Sequence, residues 1–288
     1  MTILHDLLLQ GQQRLLQAGH DSTRLDTQLL LEQVLGIDRA TLYAYPEREV
    51  TEEQARRFFP LIERRKKGEP IAYILGHEEF YGREFFVNHN VLIPRPETEL
   101  LIESALRGIR TRLAEGQVPL VADIGTGSGA IPITLVLEEP RLTTLYATDI
   151  SANALVVAHQ NCRRYSVEGR VQLLHGDLLA ALPEPVDILI ANLPYVGTDE
   201  LHEMTTDVVD YEPHLALFSG PDGLDLLRRF FNEAQELARV KPRGMMLLEI
   251  GYRQREPLAR LLQQVWPSAT VTFQKDYAGW DRMLQVMV

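Results

Sequence analysis

Val186-Asp187-Ile188-Leu189-Ile190-Ala191 runs directly into Asn192-Leu193-Pro194-Tyr195. The first six residues read as a buried parallel strand, a short apolar run closed by a turn signal. A polar amide, a proline-fixed turn and an aromatic ring then stand at the strand's carboxyl end. Open α/β sheets bind their ligands at that end.

From residue 119 onward strand and helix patterns alternate. Strands are predicted at 120–124, 144–149, 171–174, 186–191, 244–250, 270–274 and 282–288. Helical runs separate the first five, which predicts a doubly wound parallel sheet of the α/β class. Residues 275–281 are too short for a parallel crossover, so the last two strands should pair antiparallel.

Upstream of the sheet the pattern is helical. Leu4, Leu7, Leu8, Gly11, Leu15 and Leu16 keep helical spacing up to Gly19. Asp21-Ser22 offers a cap for a second helix through Leu25, Leu29, Leu30 and Val34, ending at Gly36. Thr51-Glu52-Glu53-Gln54 has the form of a capping box opening a third long helix. That helix carries Arg56, Arg57, Arg64, Arg65, Lys66 and Lys67. They read as a solvated face suited to a helix C-terminus, or as a docking surface for an acidic or RNA-bearing partner. Residues 79–91 suggest a hairpin around Gly82 and Asn88. Pro94 and Pro96 stiffen the connection that follows. The division is a helical domain over 1–75, a hairpin linker over 76–96 and an α/β domain over 97–288.

The 288 residues suffice for a sizeable core and two domains. No apolar run is long enough for a transmembrane helix, and the N-terminus lacks the basic start of a signal peptide. A single cysteine, Cys162, precludes an internal disulfide and reads as a packed thiol. A cytoplasmic location is therefore expected. The net charge of −11 argues against tight binding to duplex nucleic acid. No metal is expected, because the histidines show no ligand spacing.

Asp123-Ile124-Gly125-Thr126-Gly127-Ser128-Gly129 follows the first sheet strand and opens a helix. Glycine lets the backbone turn sharply and approach a ligand closely. Dinucleotide sites use similar loops, but the spacing is G-x-G-x-G rather than G-x-G-x-x-G. Asp149 ends the second strand, where a carboxylate can accept from ribose hydroxyls, or can cap the next helix beside Ser151. Asp177-Leu178 follows the third strand, where it could flank an adenine ring or be an ordinary loop. The three places together suit S-adenosylmethionine.

Methyl transfer from a sulfonium is an in-line displacement, so the protein must mainly align the nucleophile. An amide or aromatic amino nitrogen is a poor nucleophile because its lone pair is delocalised. Acceptors at its two hydrogens stabilise the charge that grows on alkylation. The Asn192 side-chain oxygen and the Leu193 carbonyl are candidates. Pro194 biases Leu193 toward extended backbone, and Tyr195 offers a flat wall for a planar group. The bland alternative is a plain strand-ending turn.

Together these residues resemble the PrmC/HemK family, the glutamine N5-methyltransferases of peptide chain release factors. The resemblance extends to Gly68-Glu69-Pro70-Ile71-Ala72-Tyr73, Glu79-Phe80-Tyr81-Gly82, Leu92-Ile93-Pro94-Arg95-Pro96-Glu97-Thr98-Glu99, Glu212-Pro213, Asp222-Gly223-Leu224 and Glu249-Ile250-Gly251. It implies a helical, substrate-recognising N-terminal domain joined by a β-hairpin to a seven-stranded, Rossmann-like class I methyltransferase domain. It also implies methylation of the glutamine in the Gly-Gly-Gln loop of class I release factors. By position, Gly125 to Gly129, Asp149, Leu178 and Asn192 fall on donor contacts, and Asn192 to Tyr195 on the glutamine-binding motif.

The family motif is usually Asn-Pro-Pro-Tyr, and Leu193 departs from it. Loss of the fixed φ should cost about 0.4–1 kcal/mol. Asn-Leu-Pro-Tyr also resembles the acceptor motif of ribosomal RNA adenine dimethylases, which keeps adenine N6 on RNA or DNA as a rival acceptor. A donor-binding paralogue with weakened catalysis and a nicotinamide oxidoreductase are further alternatives, the latter giving Asn192 no role. The oligomeric state stays open, with a monomer as the expectation.

Overall fold

Recurrence of apolar residues every three or four positions produces the first helices. The computed structural model describes residues 2–288 and divides them into two units. The first ends at Gly76 and also takes in Thr205–Tyr211; the second comprises His77–Met204 and Glu212–Val288.

In the first unit, β1 (Thr2–Ile3) leads into α1 (Leu4–Gln17), which buries Leu4, Leu7, Gly11 and Leu15. Leu16, placed on the same stripe by spacing, is exposed. α2 (Thr23–Leu35) corrects two expectations. Leu25 is 45% exposed, while Asp26, Thr27 and Gln28 face inward with Leu30, Leu31 and Val34. Ser22 stands at the N-cap but makes no cap bond; its hydroxyl donates to Asp26 Oδ2 at 2.8 Å. Asp26 Oδ2 also accepts from Arg65 Nε at 2.6 Å. A buried charge must be paired, so this pair turns the polar side of α2 toward its neighbour.

α3 (Arg39–Ala44) and β2 (Glu49–Val50) follow. β2 pairs antiparallel with β1, a two-residue ladder too short to leave a periodic signal. Thr51 opens α4 (Glu52–Lys66) with the predicted capping box, both reciprocal bonds being present. The basic run on α4 is not uniformly solvated: Arg65 is buried on Asp26, and Arg64 Nε donates to Glu69 Oε2 at 2.7 Å. α5 (Ile71–Leu75) completes the chain-contiguous part of this unit.

In the second unit, β3 (His77–Phe80) and β4 (Arg83–Phe86) form an antiparallel hairpin about Tyr81-Gly82, leaving 87–91 outside the strands. α6 (Glu99–Ala114) follows. Then come β5 (Val121–Ile124), α7 (Ala130–Glu138), β6 (Leu145–Asp149), α8 (Ala152–Arg164), β7 (Val171–His175) and β8 (Val186–Ala191). After α9 (Thr206–Tyr211), which belongs to the first unit, the chain forms α10 (Asp225–Glu236), β9 (Val240–Glu249), α11 (Arg255–Val265), β10 (Thr270–Lys275) and β11 (Asp281–Met287).

The seven strands form one sheet in the order β10-β11-β9-β8-β5-β6-β7. β5 to β9 pair parallel, and β11 runs antiparallel to both β9 and β10. The predicted seven-stranded, mostly parallel sheet is thus the observed one. Each face carries its own apolar cluster, one around Ile133, Ile188 and Leu247, the other around Leu189, Phe230 and Leu248. The chain steps from β5 to β6 on one side and later returns to β8 on the other. That reversal opens a crevice at the strands' carboxyl ends. Asp187 sits within apolar β8 because its carboxylate accepts from the Leu120 amide and pairs with Lys241 and Arg112. Cys162 is buried in the core, and burial pushes its thiol up to about 12. That fits packing and not nucleophilic chemistry.

Candidate active site

β5 ends in the glycine loop, and Gly125 and Gly127 hold φ of +77° and +55°. Those values suit glycine alone among ordinary residues. A Cβ on Gly125 would also lie 3.1 Å from the Leu193 side chain. The loop borders a cavity of about 260 Å³ in the second unit. Gly125, Thr126, Gly127 and Ser128 line it, whereas Gly129, predicted as a donor contact, does not. At Gly129 a Cβ would approach Ala158 of α8 to 3.3 Å. This glycine serves close packing between α7 and α8.

Asp149 lines the cavity from the end of β6. Its Oδ2 accepts from the Gly127 amide and its Oδ1 from the Ser151 amide, both at 2.8 Å. Ser151, not Asp149, caps α8, its hydroxyl accepting from the Ala154 amide. Each carboxylate oxygen keeps a second lone pair for a hydroxyl ligand. Burial raises the Asp149 pKa, and the Ser151 and Gly127 amides oppose the rise. Asp177 and Leu178 also line the cavity. Asp177 Oδ2 is engaged by Arg229 Nη2 at 2.7 Å, a partner that sequence reasoning missed. Leu178 adopts φ +42°, a left-handed value uncommon for a branched side chain.

One buried feature lies below the loop. Asp123, at the end of β5, is fully buried, and neither of its carboxyl oxygens has a hydrogen bond of good geometry among the described residues. The Thr126 hydroxyl oxygen is likewise buried without a partner. Burial pushes the Asp123 carboxyl up to about 7, a shift the nearby Thr126 hydroxyl opposes and the Asp149 charge adds to. A buried carboxyl beside a glycine loop, supported only by the nearby Thr126 hydroxyl, suits a cationic ligand in the cavity.

Asn192, Leu193 and Pro194, from the end of the neighbouring strand β8, also line the cavity. Asn192 Nδ2 donates to Thr98 Oγ1 at 3.1 Å, and no described residue donates to Asn192 Oδ1. Thr98 Oγ1 in turn donates to Glu249 Oε2 at 2.7 Å. Tyr195 corrects an expectation: it does not line the cavity. Its hydroxyl donates to Glu249 Oε1 at 2.9 Å. Burial raises the tyrosine pKa and the Glu249 charge adds to it. The ring packs against the apolar cluster that contains Leu193 and Leu248. Thr98 and the other wall residues Asn90, Val91, Leu92 and Pro94 come from the segment after the hairpin. The sequence marks Asn90 and Val91 as part of a hairpin and the rest as a stiff connection within the family motif, with no sign that they line a cavity.

The Tyr195 carbonyl accepts from Gln254 Nε2 at 2.8 Å. Gly223, with φ +75°, packs against the same carbonyl, and a Cβ there would lie 2.1 Å from its oxygen. Gly223→Ala is therefore expected to lower stability by about 2–4 kcal/mol through backbone strain and steric displacement. It should also push the acceptor turn out of place. Denaturant unfolding checks this, and wild-type stability in the variant would sink it.

Residues 6–76 match the family described as "PrmC N-terminal domain", and residues 101–211 match "Methyltransferase small domain". A "Release factor glutamine methyltransferase" of Koribacter versatilis is 44% identical over 271 residues, covering 93% of this chain and 92% of that protein. One from Bacillus cereus is 41% identical over 260 residues, covering 89% and 90%. Among solved structures, a methyltransferase from Pyrococcus furiosus superposes with TM-score 0.51 at 16% identity, covering 83% of this chain and 98% of that one. The hMettl16 catalytic domain in complex with MAT2A 3'UTR hairpin 1 gives 0.56 at 15% identity, covering 82% and 80%. At such identities the structural likeness speaks to the fold alone. The sequence relatives, matched across nearly their whole length, decide the family: this chain belongs to the release factor glutamine methyltransferases.

Proposed function

We propose that this chain methylates the side-chain nitrogen of glutamine in the Gly-Gly-Gln loop of class I peptide chain release factors, using S-adenosylmethionine. One observation carries the reading. Asn192 lines the cavity with its Nδ2 committed to Thr98, which leaves Oδ1 as the acceptor on offer.

The residues fit the donor. Gly125 to Ser128 would hold its amino acid end, Asp149 its ribose hydroxyls, and Asp177 and Leu178 its base. The unpaired Asp123 carboxyl beneath the loop would balance its positive charge. Bound there, S-adenosylmethionine supplies an electrophilic methyl carbon. The chain's own part is alignment. Asn192 Oδ1 and the Leu193 carbonyl would accept the two amide hydrogens of the glutamine and stabilise the charge developing on its nitrogen. Water takes the proton after alkylation, so no strong base is needed. The helical unit would recognise the body of the release factor.

The backbone N–H of Leu193 has no hydrogen bond within the protein among those described, so proline at this position loses none. Leu193→Pro is expected to keep kcat within about threefold of wild type, pre-organisation being worth about 0.4–1 kcal/mol. A large loss of activity would show that the local backbone differs from the one assumed. The reading as a whole is tested by offering labelled donor with an intact release factor, its loop glutamine-to-alanine variant, and ribosomal RNA. Label in the first alone supports it; label in the RNA overturns it in favour of adenine.

A further inference from the structure

A polar chain runs inward from the acceptor turn: Asn192 and Thr98 line the cavity at one end, and Glu249, outside the lining, lies at the other. Glu249, at the end of β9, is fully buried and accepts from Thr98 Oγ1 at 2.7 Å and from the Tyr195 hydroxyl at 2.9 Å. Thr98, itself buried, accepts from Asn192 Nδ2 at 3.1 Å. Three separate parts of the second unit meet here: the segment before α6, the turn after β8 and the end of β9.

We propose that Thr98 and Glu249 are positioning residues that fix which end of the Asn192 carboxamide faces the cavity. This rests on Asn192 being the acceptor-site clamp. The argument is one of hydrogen-bond polarity. A carboxamide presents an oxygen or an NH2 from nearly the same shape, and only its partners distinguish the two. A carboxylate accepts and cannot donate, so Glu249 obliges the single Thr98 hydroxyl proton to point at it. The Thr98 oxygen can then only accept, and the group it accepts from is the Asn192 NH2. The amide oxygen is thereby left for the cavity. Flipped, Asn192 would present two donors to a glutamine NH2 that also only donates, and the clamp would repel its substrate. Burial raises the Glu249 pKa, and the Thr98 and Tyr195 hydroxyls that donate to it, with the positive Arg282 nearby, oppose the rise and favour the carboxylate. Tyr195 thus contributes from behind the turn by filling the second oxygen of Glu249.

The test uses the full chain with intact release factor and labelled donor. Thr98→Val is nearly isosteric and removes both the acceptor and the donor of this chain. We expect its kcat to fall about 10–100-fold, as when an orienting partner is removed elsewhere. Donor affinity by calorimetry should stay within about twofold, since the hydrogen bonds that hold Asp149 and Asp177 in place do not involve Thr98. Thr98→Ser restores the hydroxyl and should return kcat to within about threefold. An Asn192→Asp background supplies the decisive comparison. Both aspartate oxygens accept, orientation no longer matters, and Thr98→Val should then cost less than about twofold. Equal losses in the two backgrounds would overturn the positioning role and assign Thr98 to packing. Full kcat in Thr98→Val, with Asn192→Ala inactive, would overturn it while sparing the clamp. An active Asn192→Ala would instead remove the clamp itself. If Thr98→Val loses donor affinity through misfolding, Thr98→Ala, which cannot overpack, is read by the same criteria.

Discussion

Asn192→Ala is expected to abolish turnover while the protein still binds S-adenosylmethionine nearly as well as before. The expectation follows from what the side chain is free to do. Its NH2 is held by Thr98 and its oxygen has no partner among the described residues, so the interaction it has to give would be made with the acceptor. A contact that strengthens as charge develops on the reacting nitrogen lowers the barrier more than it lowers ground-state energy. Loss of one such contact in a comparable oxyanion site costs about 10²–10³ in kcat. The alanine variant loses alignment of the amide as well, so a drop at or beyond the upper end of that range is expected. Stability should fall by only about 1 kcal/mol, the net value of one hydrogen bond. Steady-state kinetics with intact release factor, set beside calorimetric donor titration, separates the cases. Parallel loss of kcat and donor affinity would mean that Asn192 is chiefly a donor contact, and the acceptor reading would fall.

Local signals made most of the fold legible. The seven strands announced themselves as apolar runs bounded by turns, and the antiparallel pairing of the last two followed from a short connection. The capping box at Thr51 needed only four residues to be read. Errors arose where a partner distant in sequence decides orientation. Leu25 has the right spacing for a core position, yet Asp26 takes the inward side because Arg65, on another helix, waits for it. A flat aromatic ring in the motif gives Tyr195 the role of a wall, but its hydroxyl donates to Glu249, and neither residue lines the cavity. Gly129 belongs to a glycine loop by pattern and to a helix contact by geometry. Thr98 lies within the Leu92–Glu99 motif, but no property of that stretch reveals that it bridges Asn192 and Glu249. Sequence reports residue type and period; it does not report which of two possible partners a hydroxyl chooses.

Asp123→Asn should make the empty protein more stable and a poorer binder of its donor, and both effects should depend on pH. The wild-type carboxyl titrates near 7 in the fold because burial raises it from 3.8. Its pKa is higher folded than unfolded, so it favours folding most fully below about pH 4. That contribution is lost progressively as pH rises to about 7, and the loss is constant above it. The total is on the order of 4 kcal/mol by the free-energy equivalent of a pKa unit. Asparagine does not titrate, so the variant escapes the penalty. At pH 8 its melting temperature should exceed wild type by roughly 5–10 °C, allowing for incomplete hydrogen bonding of the new amide. Toward pH 4 the gap should close. Donor binding should move the other way. The donor is cationic, so the ionised carboxylate attracts it through a poorly screened interior. Wild-type affinity should therefore rise between pH 6 and 8, whereas the variant should bind about 10-fold or more weakly at pH 8 with a flat profile. The carboxyl touches no solvent, so a field effect accounts for the coupling without direct contact. Thermal melts across pH together with donor titrations check both halves. A variant that melts below wild type at pH 8, or binds donor with the wild-type pH dependence, would refute the account of Asp123 as a buried counter-charge kept at the expense of stability.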